Sequence, residues 1–176
     1  MNGSLPLCAE CLELPHLAVG SLSSNGATQL AAMSGTDLRL DPNKEYLVYE
    51  FWTKKFLGSF KGTFTSQAVE PYDCDIYSIV EKQDRPVLVS TSRHVRQMAF
   101  DIKNMAYDAA GKSLSGVSRA VAGDPYQLRI YVPDGFAAKR VELSEGITAT
   151  MKTEGNVLAV EFTSSTGKDV EWKVFF

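Results

Sequence analysis

The sequence predicts an all-β protein, an antiparallel β-sandwich arranged as two consecutive small units of Ig-like size. Three observations predict it. Short runs rich in β-branched and aromatic residues recur along the chain, separated by clusters of Gly, Asn, Asp, Ser and Pro at the roughly 8 to 12 residue spacing of a sandwich. Helical periodicity is scarce. The polar stretch Glu81-Lys82-Gln83-Asp84-Arg85-Pro86 interrupts the pattern, so the chain divides into an N-terminal segment (1–16), a first β unit (17–84) and a second (87–176).

Within the first unit, Leu17 to Leu22 and Thr28 to Met33 flank Ser23-Ser24-Asn25-Gly26, and Asn-Gly is a strong hairpin signal. Tyr46 to Trp52 is almost wholly apolar or aromatic, the pattern of a strand covered on both faces, entered through the turn Asp41-Pro42-Asn43-Lys44. Phe56, Phe60 and Phe64, spaced among Gly58, Gly62 and several Lys and Thr residues, read as another hairpin. Tyr72 to Val80 alternates, with Cys74, Ile76 and Ser78 on one face and Asp75, Tyr77 and Ile79 on the other.

Alternation is clearer in the second unit. Val87 to Thr91 is a short strand, Ala99 to Ala106 and Lys112 to Val121 bracket the turn Asp108-Ala109-Ala110-Gly111, and Leu128, Ile130 and Val132 share a face. Ile147, Ala149 and Met151 share the next, Glu154-Gly155-Asn156 turns the chain, and Leu158, Val160 and Phe162 follow. Val170, Trp172, Val174 and Phe176 share the last.

Composition narrows the function classes. The 176 residues carry 18 Lys and Arg against 21 Asp and Glu, a formal charge of -3, with 44% hydrophobic residues. That is too apolar for disorder, and it lacks the basic excess of a nucleic-acid binder. No run approaches the roughly 18 apolar residues of a membrane helix. Three cysteines do not make a disulfide framework, and Met1 to His16, with no Lys or Arg, does not read as a secretory signal.

Chemistry-bearing motifs are sparse. Cys8-x-x-Cys11 has the spacing of half a zinc site, with His16, Cys74 or His94 as further ligands, but that set matches no standard spacing, so no metal is expected. Gly111-Lys112-Ser113 has the end of a phosphate-binding loop, yet the pattern's first glycine falls at Ala106 and no helix follows, which leaves a hairpin turn. Asp41-x-Asn43-x-Glu45 has alternate oxygen ligands but Tyr46 where a calcium loop needs Gly. No serine sits in a nucleophile elbow, and the aspartates Asp73, Asp75, Asp84, Asp101 and Asp108 fall where turns and exposed faces are expected. No catalytic residue and no cofactor is therefore assigned.

Arg93-His94 is the densest chemical point, and its expected role is at an interface or in pinning a strand end. Sugar stacking requires exposed rings. Trp52 and Trp172 fall in apolar strands where a core role is expected, whereas Tyr131 alternates out of phase with Ile130 and Val132 and is better placed to face out. Arg93, His94, Tyr131 and Trp52 are the candidate interface or carbohydrate contacts.

Tyr46-Leu47-Val48-Tyr49-Glu50-Phe51-Trp52 followed by Phe56-Leu57-Gly58 resembles the C-terminal β region of bacterial melibiase (α-galactosidase-like) glycoside hydrolases. Ser90-Thr91-Ser92-Arg93-His94-Val95-Arg96-Gln97, Leu114-Ser115-Gly116-Val117-Ser118, Gly123-Asp124-Pro125-Tyr126 and Ile130-Tyr131-Val132-Pro133-Asp134-Gly135-Phe136 follow in the same order. The resemblance spans roughly Leu17 to Phe176. It implies a non-catalytic accessory domain that packs against a catalytic (β/α)8 barrel, which at about 250 residues is too large for this chain. It also implies an extracellular or periplasmic setting if the parent enzyme is secreted. Two alternatives remain, a carbohydrate-binding module and a free-standing structural domain with a protein partner. Homodimerisation through the surface a barrel would cover is a further expectation, and neither nucleic acid nor membrane is an expected partner.

Overall fold

The computed structural model describes residues 16–22, 32–34, 38, 40–66, 68–70, 74–93, 98–144 and 146–176, with the backbone alone for 16–22 and 32–34. The described chain is all-β and antiparallel. Its first part holds β1 (His16–Leu22), β2 (Ala32–Ser34), β3 (Glu45–Glu50), β4 (Lys55–Lys61), β5 (Thr63–Thr65) and β6 (Cys74–Glu81). The second holds β7 (Val87–Thr91), β8 (Ile102–Asp108), β9 (Ser113–Arg119), β10 (Pro125–Tyr131), β11 (Arg140–Leu143), β12 (Ala149–Glu154), β13 (Val157–Thr163) and β14 (Asp169–Phe175). Cys8, Cys11, Asn25, Gly26, Tyr72, Asp73 and His94 lie outside the described residues, so the readings placed on them stay expectations.

The second part is a sandwich of two four-stranded sheets, ordered β12-β13-β10-β7 and β11-β14-β9-β8. Alternation along β10, β13 and β14 aims Leu128, Ile130, Leu158, Val160, Phe162, Val170, Trp172 and Val174 into the space between them, all at most 2% exposed. The chain passes from one sheet to the other at β7–β8, β9–β10, β10–β11, β11–β12 and β13–β14, so the last strand pairs with β9 and β11 rather than with its sequence neighbour. The strand β11 was not foreseen. Its alternation of Arg140 and Glu142 with Val141 and Leu143 runs for four residues only, below the length at which a period of two is persuasive.

The first part departs from the sequence expectation in its pairing. Strand β1 pairs with β6 and β2 with β5, so among the described residues the two do not pair with one another as expected, while residues 23–31, which carry the expected turn, lie outside the described residues. Likewise β4 pairs with β3, not with β5, and the expected hairpin of Phe56, Phe60 and Phe64 is corrected: Gly62, at φ 81°, turns the chain from one sheet into the other. The main sheet runs β1-β6-β3-β4. On one side Val48, Tyr77 and Ile79 pack with Phe64 of β5 in a small core. On the other, Leu47, Tyr49 and Val80 join the core of the sandwich. A strand with Leu47, Val48, Tyr49 and Glu50 all buried is covered on both faces, as its composition predicts.

A bulge in β4 decides which side each phenylalanine serves. Val48 pairs with Gly58 and Tyr49 with Phe56, leaving Leu57 as the extra residue, and Gly58 takes φ 106°, a conformation open to glycine. The inserted residue inverts the alternation. Phe56 therefore packs toward the sandwich while Phe60, four residues on, packs toward the small core.

One close approach in the sandwich makes a test of its packing. Gly116 sits under the Trp172 indole, whose Nε1 donates to Ser118 Oγ at 2.8 Å, and a Cβ at Gly116 would lie 2.7 Å from the Asn104 carbonyl oxygen as well as against the indole ring. Because backbone cannot yield there, Gly116→Ala is expected to cost about 1–3 kcal/mol. Urea denaturation followed by tryptophan fluorescence measures it, and an unchanged midpoint would refute the packing described.

Candidate functional site

The four residues singled out from sequence go to two places. Trp52 and Tyr131 lie near the seam between the two parts, Arg93 lies at the far end of the sandwich, and His94 is outside the described residues.

The seam is built from the β3–β4 hairpin. Glu50, fully buried, accepts hydrogen bonds from the amides of Trp52 (2.8 Å) and Thr53 and from the Thr53 hydroxyl, and Lys54 at φ 56° completes the turn. The carboxylate is consumed in fixing the turn. Tyr49 and Phe51, two residues apart and so on one face, are thereby held against Arg129 of β10, whose Cζ lies 5.2 Å and 5.5 Å from their ring centroids. Arg129 is 2% exposed. Its Nε donates to Gln127 Oε1 at 2.8 Å, and Nη1 donates to Ser90 Oγ at 3.3 Å and the Thr91 carbonyl at 3.2 Å. All three acceptors are neutral, and among the described residues no carboxylate pairs with it within 4.0 Å. Burial draws the guanidinium below its ordinary value, opposed by Tyr49 and Glu50, and burial pushes the Tyr49 hydroxyl up.

Beside this guanidinium a cleft of about 640 Å³ opens between the β3–β4 hairpin and the outer face of β12 and β13. Phe56 and Tyr131 close the seam further along, their ring centroids 5.4 Å apart. Tyr131 is thus half-buried against the first part, not presented to solvent as its alternation suggested. Trp52 departs the other way: it is 49% exposed, edge-on to Phe51 at 4.9 Å, where an apolar strand predicted a core residue. The strand ends at Glu50, and Trp52 belongs to the turn. Trp172 is a core residue as expected. Tyr49, Tyr77 and Tyr126 are buried, which removes them from any sugar-stacking surface.

At the far end, Asp101 is 6% exposed and gathers a network. Its Oδ2 accepts from Thr91 Oγ1 at 2.6 Å and from the Tyr126 hydroxyl at 2.7 Å, while Oδ1 has no hydrogen-bond partner. Arg93 pairs with Asp124, places its guanidinium 5.5 Å from the Tyr126 ring centroid, and its amide donates to Thr91 Oγ1. These contacts tie the end of β7 to the segment that enters β10. Burial, then the charge of Asp101, push the Tyr126 hydroxyl far above the ordinary tyrosine range. Sequence reading did not single out Arg129. Its signal was available: an arginine between Leu128 and Ile130, on the strand face that also carries Gln127 and Tyr131.

The remaining motifs resolve into turns. Asp41 Oδ1 accepts from the Asn43 amide at 2.9 Å, Glu45 binds Ser59 and Lys82, and Asp108 Oδ1 accepts from the Ala110 amide at 3.0 Å in the β8–β9 turn that contains Gly111. Among the described residues no group of three or more His, Cys, Asp or Glu is placed to hold a metal ion.

No protein-family model matches the chain, and no curated protein matches it.

Tyr126 couples the far-end network to pH. Its folded pKa is raised and its unfolded value is about 10, so stability from the buried phenol is fully present below pH 10 and declines as pH rises toward the folded value. Tyr126→Phe is expected to lower stability at neutral pH by about 1–3 kcal/mol, because Asp101 loses a donor. It should also lose stability less steeply than the parent above pH about 10. Urea titrations on both sides of that pH measure both effects, and parallel profiles would disprove the coupling.

Proposed function

We propose that the chain is a non-catalytic accessory β region of an extracellular or periplasmic α-galactosidase-like glycoside hydrolase, which packs against a (β/α)8 barrel and stabilises it. The observation that supports this reading is the seam. Tyr49 and Phe51 of the first resembling motif and Ser90 and Thr91 of the second meet on one guanidinium, so motifs 40 residues apart in sequence serve one structural purpose, the coupling of two β parts into a single support. Phe100 and Val121, 51% and 55% exposed at the far end of the sandwich, supply apolar surface of the kind a docked domain covers. A second reading, carbohydrate binding, is favoured by Trp52, an aromatic residue that is 49% exposed.

Two measurements test the proposal. The purified chain is expected to show no saturable turnover of an aryl α-galactoside; turnover abolished by one Asp substitution would overturn the non-catalytic assignment. Mixed with an α-galactosidase-like barrel stripped of its own C-terminal β region, the chain is expected to co-elute with it and raise its Tm. Separate elution with no change in Tm would overturn the docking role.

A further inference from the structure

Arg129 carries a positive charge into the interior without an ion-pair partner among the described residues. Removing a guanidinium from water costs several kcal/mol, and neutral acceptors with two ring faces offset only part of that. Glu50, the carboxylate that acts on it electrostatically, is already committed to the turn amides and the Thr53 hydroxyl. Arg129 Nη2 has no hydrogen-bond partner among the described residues, and the side chain lines the inter-part cleft. The cleft is also basic in a chain of net charge -3: Lys54, Lys55, Lys152 and Arg129 line it against Glu154 and Glu161. Lys152 is paired with Glu154, and Glu161 receives a long bond from Gln127 at 3.4 Å. Lys54 and Lys55 have no carboxylate partner among the described residues.

We propose that this cleft is a binding site for a sugar acid, with the carboxylate held by Arg129 and the lysines of the β3–β4 hairpin. The Arg129 Nη2 left without a partner among the described residues and the two lysine ammoniums can donate to one carboxylate, and a volume of about 640 Å³ accommodates one or two pyranose rings. Thr150 of β12, across from the hairpin, offers its exposed hydroxyl to a sugar hydroxyl. The site stands whether or not the chain docks on a barrel, since every residue named belongs to this chain.

The full chain is titrated with D-galacturonate, D-glucuronate, D-galactose and inorganic phosphate at low salt, by calorimetry and by thermal shift. The uronates are expected to saturate and raise Tm, with galactose at least about tenfold weaker. The exposed pair Lys54→Ala and Lys55→Ala should weaken uronate binding about tenfold while leaving the circular dichroism spectrum and Tm of the free chain intact. Arg129→Lys, which keeps the charge but removes the Nη2 donor, should weaken uronate binding about tenfold. Equal affinity for galactose and galacturonate, no uronate binding, or uronate binding indifferent to the lysine pair would each overturn the site. Phosphate binding as tightly as the uronates would overturn the carboxylate assignment.

Discussion

Burying one guanidinium between two β parts is the constraint on which the rest of this structure turns. Arg129 must find acceptors and ring faces from several elements at once, and each supplier is held by its own local device. Gln127 is two residues along the same strand. Ser90 and Thr91 are brought alongside by the pairing of β10 with β7, whose register shifts just beyond Arg129. Tyr49 and Phe51 are aimed by the turn that Glu50 ties down. Loosening any of these leaves a buried charge with fewer compensating groups, which is far costlier than losing an ordinary surface contact.

The seam also explains why the first part is not an independent sandwich. Among the described residues, its main sheet has one face on a core of Val48, Phe64, Tyr77 and Ile79 and the other on the core of the neighbouring sandwich. Leu47, Tyr49 and Val80 gain their burial from residues beyond the polar stretch 81–86, and the two parts therefore stabilise one another through a continuous apolar interior.

Much of this was legible in the sequence, and the rest was hidden for identifiable reasons. Strands with clean alternation, such as β10, β13 and β14, were readable because one face meets a core and the other meets water. The double burial of β3 was readable from its composition. Pairing was not, because a strand's pattern records how its faces are covered and says nothing of which edge lies beside it; β1 joins β6 across more than fifty residues despite a strong local turn signal. Trp52 was misjudged because strand composition runs two residues past the strand's end. Arg93 was singled out from its local density of polar groups. Arg129 was missed because a lone arginine among apolar residues looks like a solvent-facing position of an alternating strand, and the cover that buries it comes from the other part of the molecule.

The extra residue in β4 has a consequence for how such a molecule changes over time. Side-chain parity beyond Leu57 is inverted relative to parity before it, so the hairpin holds two independent surfaces on a single strand, one written in Phe56 and the other in Phe60. Substitutions before Leu57 alter how the two parts grip one another; those after Gly58 alter the small core alone. A single-codon loss at this point would merge the two surfaces, whereas changes that preserve the extra residue let the coupling and the core drift separately.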